Sequence, residues 1–155
     1  MAVFFPGSFD PFTAGHYDIV CRALKLFDHV VVGIGTNVLK KSFFTEAERL
    51  HIIEQAVGDL RRVSVVVYHG LTVDYCAEHD IHCIIRGVRS LCDYEYETLT
   101  AQVNRQLQNG IETVFLPSLP EHTYINSTVV RDILTHGGDA SAFLPKKVTL
   151  PIKIS

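Results

Sequence analysis

Five short runs rich in β-branched and aromatic residues recur along the chain, with helix-patterned segments between them. This alternation constrains the fold more than any other feature. The runs are Ala2 to Phe5, Val30 to Ile34, Val63 to Tyr68, His82 to Ile85 and Thr113 to Leu116. Between the first two, Val20, Ala23, Leu24 and Phe27 form an i, i+3, i+4, i+7 stripe. Thr45-Glu46-Ala47-Glu48 is a capping box that opens a second helix, with Leu50, Ile53 and Val57 on one face. A third helix is predicted from Val73 to His79. A fourth runs from Asp93 to Leu107 with Tyr96, Leu99, Val103 and Leu107 as its inward stripe. The fifth follows Ser127, with Val130, Ile133 and Leu134 facing in. Strand–helix alternation with short connections predicts a Rossmann-like α/β fold: a doubly wound, mainly parallel five-stranded sheet with helices on both faces.

At 155 residues, without internal repeats, low-complexity segments or a Pro/Ser-rich linker, residues 1–155 read as one domain. The last stretch, "PKKVTLPIKIS", is basic and proline-interrupted and reads as a surface tail. A hydrophobic fraction of 47% with 20% charged residues is ordinary for a globular chain and argues against disorder. The net charge of −3 gives no electrostatic case for nucleic-acid binding, so an anionic ligand must be held by a local cluster of cations. No basic leader or long apolar stretch suggests secretion or a membrane span. Cys21, Cys76, Cys83 and Cys92 show no zinc spacing and read as thiols of a cytoplasmic protein.

In sheets of this kind ligands bind beyond the carboxyl ends of the strands. After the first strand the chain reads "PGSFDPFTAGH". Thr13 suits an N-cap, which puts His16 at N3, where a capping box carries Glu or Gln. A glutamate there would repel a phosphate, whereas an imidazole can donate a hydrogen bond to one. Gly15 allows close backbone approach, the helix N-terminus favours an anion, and Ser8 adds a hydroxyl. A Gly/Pro-rich turn with a solvent-exposed histidine is the plainer reading of the same residues.

After the second strand, Lys40 and Lys41 precede the capped helix, either as phosphate ligands or as solvated surface charge. Gly33-Ile34-Gly35 lacks the third glycine of a dinucleotide fingerprint, and no GxxxxGK[ST] stretch exists. Gly70-Leu71-Thr72 is a strand-to-helix turn. Arg86 and Arg89 end the fourth strand, where their forks match phosphate oxygens or pair with Asp93, Glu95 and Glu97. Behind the fifth strand, Asn126-Ser127-Thr128 begin a helix without a capping carboxylate, which makes a second anion site or a plain cap.

Taken together these blocks resemble the nucleotidylyltransferase superfamily. Thr13-Ala14-Gly15-His16 is similar to its (T/H)xGH signature and "NSTVVR" to its ISSTxVR-like second signature. "RGVRSLCDYEYE" and "LKKSFFTEAER" more particularly resemble the bacterial phosphopantetheine adenylyltransferases, in register from residue 4 to about residue 144. The resemblance implies adenylyl transfer from ATP to 4′-phosphopantetheine, giving dephospho-coenzyme A and pyrophosphate, with Mg²⁺, feedback binding of coenzyme A and a homohexamer. It implies that His16, Lys40 and Arg89 are catalytic, and that Ser8, Lys40, Thr72 and Arg86 hold phosphopantetheine. It places ATP against Ser8, Phe9, His16, Gly87, Val88, Arg89, Glu97 and the run His122, Thr123, Tyr124, Ile125, Asn126, Ser127 and Thr128. Ser8 stands where many members carry Thr, Asn126 where Ser is common, His122 where an aromatic is frequent and Thr135 where some carry Arg. A sister nucleotidylyltransferase acting on nicotinate mononucleotide or glycerol phosphate, and a non-catalytic nucleotide-binding module, are the competing readings.

Overall fold

The structure, a computed structural model, describes residues 1–151. The last four residues of the "PKKVTLPIKIS" segment lie outside the described residues. Five strands, β1 (Ala2–Gly7), β2 (His29–Gly35), β3 (Val63–Tyr68), β4 (Cys83–Val88) and β5 (Glu112–Pro117), alternate with five helices. These are α1 (Ala14–Ala23), α2 (Glu46–Val57), α3 (Thr72–Glu78), α4 (Leu91–Leu107) and α5 (Ser127–Thr135). The sheet is parallel throughout, in the order β3-β2-β1-β4-β5. Among the described residues no helix is long and apolar enough to cross a membrane.

Burial on both faces explains why the strands read as continuous apolar runs. Val3 and Phe5 of β1 join the core under α1 and α2, with Val20, Ala23, Ile52 and Ile53. Phe4, between them, points to the opposite face with Tyr68, Val73, Cys76 and Ile84. Gly33 of the rejected dinucleotide fragment has a packing role. A Cβ built there would lie 2.1 Å from Phe4 Cζ, so only glycine lets β2 pass beneath that ring.

The stripes predicted for α1, α2 and α5 face the core, and Thr45 and Glu48 close the expected capping box. The stripe predicted for α4 does not face inward. Tyr96, Leu99, Val103 and Leu107 are 69%, 63%, 56% and 55% exposed, and the one buried α4 residue is Glu97. The physical reason is Arg86 on β4: Glu97 turns inward to meet it, which rotates the apolar row away from the sheet. The carboxyl-terminal segment is not wholly a surface tail either. Val148 and Leu150 pack against the core, and Thr149 exchanges hydrogen bonds with Gln55.

Chain order reverses between β1 and β4, which are paired at Phe4 and Ile84. A switch point leaves the connections after its two strands on opposite sides of the sheet and opens a crevice between them. The loops after β1 and β4 therefore flank the candidate site.

Candidate active site

The loop from Ser8 to Phe12 is held on every side. Arg49 Nη1 donates to the Ser8 carbonyl at 2.8 Å, Arg131 Nη1 to the Asp10 carbonyl at 2.8 Å, and Ser127 Oγ to the Pro11 carbonyl at 2.8 Å. The Asp10 carboxylate in turn accepts the backbone N–H groups of Phe43 and Phe44 at 2.7 and 2.8 Å. Phe9 sits in the left-handed region, φ +46°, a conformation costing on the order of 1–3 kcal/mol in a non-glycine residue. These anchors from α2 and α5 sustain it.

The same loop delivers Thr13 as N-cap of α1. Thr13 Oγ1 accepts the His16 backbone N–H at 3.4 Å, and the Thr13 backbone N–H donates to His16 Nδ1 at 3.0 Å. The predicted exception to the capping box is thus a capping box with histidine as its acceptor. The Phe9 ring lies edge-on to the imidazole at 5.0 Å, with Phe12 at 5.5 Å. Burial among these groups, then the charges of Arg86 and Arg89, push the His16 pKa from 6.5 down to about 3. The ring is therefore neutral at pH 7, and because Nδ1 accepts a hydrogen bond, its proton resides on Nε2. His16 lines a cavity of about 360 Å³.

Ser8, Phe9, Lys40, Arg86, Gly87, Arg89, Glu97, His122, Ile125, Asn126, Ser127 and Thr128 line that cavity with His16. Val88, Thr123 and Tyr124 are not among its lining residues. Tyr124 is exposed and meets Phe143 edge-on at 6.3 Å, while Thr123 Oγ1 donates to the Leu119 carbonyl. Thr72 lines a second lobe of about 450 Å³, and its hydroxyl is 2.8 Å from that of Tyr68. The two lobes share Pro6, Gly7, Ser8, Arg86 and Glu97.

The cations differ in how far they are already engaged. Arg86 donates Nε and Nη2 to the two carboxylate oxygens of Glu97, at 2.9 and 2.7 Å, and Nη1 to the Pro6 carbonyl. Each of its three nitrogens has a partner, so it fixes the wall between the lobes and contributes a positive field. Arg89 pairs through Nε with Asp93 at 3.3 Å on a half-exposed face. Lys40 is exposed and forms no ion pair among the described residues. At the far end the Nδ1 of His122 is buried without a partner. Asn126 caps α5 by accepting the Val129 N–H at 2.8 Å, and Arg131 Nη2 donates to Thr128 Oγ1 at 3.1 Å. Asp10, Arg49 and Arg131 are the site residues that sequence reasoning missed. Asp10 and Arg131 lie inside the quoted motifs, where their polarity is a signal, whereas Arg49 sits mid-helix with no local mark.

No group of three or more His, Cys, Asp or Glu side chains among the described residues could hold a metal ion. The cavity's two carboxylates, Asp93 and Glu97, face arginines. What the arrangement can do chemically is bind a polyanion and direct one neutral imidazole N–H at it.

Comparison with known proteins agrees with this chemistry. The family described as cytidylyltransferase-like matches residues 4–133. The phosphopantetheine adenylyltransferase of Phocaeicola vulgatus is 47% identical over 92% of this chain and 93% of its own. Those of Rubrobacter xylanophilus and Flavobacterium johnsoniae are 46% and 45% identical, over 90% and 93% of this chain and 85% and 94% of theirs. Among solved structures, the lipopolysaccharide core biosynthesis protein of Thermoplasma volcanium superposes with a TM-score of 0.57 at 22% identity, over 77% of this chain and 98% of that one, a likeness of fold. With the histidine box, the two-lobed crevice and relatives of this identity spanning nearly its whole length, the chain belongs to the phosphopantetheine adenylyltransferase family.

Proposed function

We propose that the chain transfers the adenylyl group of ATP to 4′-phosphopantetheine, yielding dephospho-coenzyme A and pyrophosphate. The observation that carries this reading is His16: a neutral imidazole locked by Thr13, with Nε2–H as its free donor, in a cavity that Arg89 and Lys40 also line. The acceptor phosphate is already a nucleophile, so no side chain need remove a proton. The protein's work is to bring two anions into line and to stabilise charge developing at the α-phosphate. His16 Nε2 and Arg89 donate to that phosphate, and Lys40 bridges it to the acceptor phosphate. The lobe with Thr72 takes the pantetheine arm, and the unpartnered His122 Nδ1 suits a purine edge at the other end. Mg²⁺ enters with ATP as part of the substrate, coordinated by phosphates and water.

A homo-oligomer, the hexamer that the family resemblance implies, belongs to this reading. It is supported by the outward apolar row of α4, which a second copy would cover. Feedback binding of coenzyme A belongs to the same reading, since the product differs from it by one phosphate. A cytoplasmic setting agrees with four free thiols.

The test is pyrophosphate release from Mg·ATP, with and without 4′-phosphopantetheine, and with nicotinate mononucleotide and glycerol phosphate as controls. Release that requires phosphopantetheine supports the reading. Release with another acceptor keeps the histidine's role and replaces the substrate. Silence with every acceptor, from protein that still binds ATP, points to a nucleotide-binding module.

A further inference from the structure

Asp10 ties together three parts of the chain that bear on the site. It belongs to the loop that leads from β1 to His16, and its backbone carbonyl accepts Arg131 Nη1 from α5 at 2.8 Å. Its carboxylate is buried, and each oxygen accepts one backbone N–H, from Phe43 at 2.7 Å and from Phe44 at 2.8 Å. Among the described residues that carboxylate forms no ion pair. Arg49 and Arg131 line a recess with Asp10, yet each donates to a carbonyl of the β1 loop instead. Two charge-assisted bonds from consecutive amides hold a short segment firmly. The carboxylate serves chain geometry, not charge balance.

What it holds is the segment that carries Lys40. On the β2 side a turn at Asn37 is the last fixed point: its Oδ1 accepts the Leu39 N–H at 3.0 Å and its carbonyl the Lys40 N–H at 3.1 Å. On the α2 side the first fixed points are the Phe43 and Phe44 amides. Lys41 and Ser42 between them are exposed. Phe43 follows Lys40 by three positions, so pinning it leaves Lys40 a tether of about 10 Å at full extension. The Lys40 side chain lines the His16 cavity but is exposed and forms no ion pair among the described residues, so its backbone attachment limits where the ammonium can go. We infer that Asp10 is a positioning residue for the transfer: by gripping the Phe43 and Phe44 amides it fixes Lys40 relative to the imidazole. This rests on the adenylyl-transfer reading above. One loop thus sets both donors, capping α1 through Thr13 and anchoring Lys40 through Asp10.

The test is a double-mutant cycle between Asp10→Asn and Lys40→Ala in the pyrophosphate-release assay above, on the full chain. Asparagine keeps the size but turns one oxygen into an NH2 group that meets a backbone donor, so it weakens the grip. Asp10→Asn should lower kcat about tenfold, leave the KM for ATP within about threefold, and change kcat less than about twofold once Lys40 is alanine. The His16 imidazole should keep its neutral Nε2–H signal by NMR. Should Asp10→Asn fail to fold, two glycines inserted between Lys41 and Ser42 leave every Asp10 bond in place and loosen Lys40 alone. The same fall in kcat is then expected at wild-type stability. Three results overturn the inference: a loss that persists in full when Lys40 is alanine, an insertion variant with wild-type kcat, or a His16 signal that shifts with Asp10→Asn. Nitrogen-15 relaxation at the Lys40 amide reads the grip apart from turnover. An active enzyme whose Lys40 amide is as rigid in Asp10→Asn as in the wild type refutes the positioning role alone. An inactive chain whose Lys40 amide loosens in Asp10→Asn keeps the grip and refutes the reaction.

Discussion

The backbone N–H of Thr13 donates to His16 Nδ1 across 3.0 Å, and that single bond fixes both the orientation and the tautomer of the imidazole. A protonated Nδ1 would face another donor, so the cap itself resists protonation, in the same direction as burial and the nearby arginines. The folded-state pKa of about 3 lies below the unfolded value of 6.5, so the unfolded chain binds the proton first as pH falls. Stability from this group is complete above 6.5 and drains as pH falls towards 3, by up to about 1.4 kcal/mol per pH unit. Nitrogen-detected NMR of the imidazole should show one neutral Nε2–H form from pH 8 to pH 5. A titration near 6.5 at His16 would overturn the assignment of its role as a fixed neutral donor.

Truncating that donor separates binding from chemistry. His16→Ala should lower kcat by roughly 100- to 1000-fold, the usual cost of losing one donor to a developing charge, and leave the KM for ATP within a few-fold. Steady-state kinetics of pyrophosphate release measures both. A variant whose defect lies mainly in KM would recast His16 as a ground-state ligand.

How much of this was legible in the sequence depends on the range of the interaction concerned. The Thr13 N-cap with His16 at N3 is local and was readable from residue types alone, although the box that the imidazole itself closes was not. The strand runs were readable too, because both faces of a parallel sheet are buried and its strands need no alternation. The orientation of α4 was not readable. Its apolar stripe is periodic, yet a pairing eleven residues long, from Arg86 on β4 to Glu97, decides which face turns in. Arg49 was invisible for a related reason: its partner, the Ser8 carbonyl, is 41 positions away. Val148 and Leu150 were hidden by the lysines and prolines around them, which read as surface while these two apolar side chains dock on the core.

The Arg86–Glu97 pair offers the clearest stability test. Glu97 is buried and both its oxygens accept from Arg86, so Glu97→Gln leaves a partly buried guanidinium without its counter-charge. Breaking a buried pair from one side costs about 3–5 kcal/mol, and the partial exposure of Arg86 puts the expected loss at the lower end. Urea unfolding measures it. Because the pair forms the wall between the two lobes, the variant should also raise the KM for phosphopantetheine. A variant as stable as the wild type would mean that the pair is a surface contact in solution.

The outward row of α4 gives the last prediction. Leu99, Val103 and Leu107 expose an apolar strip with Tyr96, which together with Glu97, Thr100, Ala101 and Asn104 also lines the lobe that holds Thr72. One helix thus carries both the wall of the crevice and the surface that a second copy would cover. Leu99→Glu puts a charge in that strip without touching the core, so circular dichroism and thermal unfolding of the isolated chain should change little. Sedimentation velocity should show the wild type well above its 17.3 kDa chain mass and the variant shifted towards it. If α4 is steadied by the neighbouring copy, the variant will also lose affinity for the acceptor more than for ATP. A wild type that sediments as a single chain at working concentrations would remove the second copy from the account of this face.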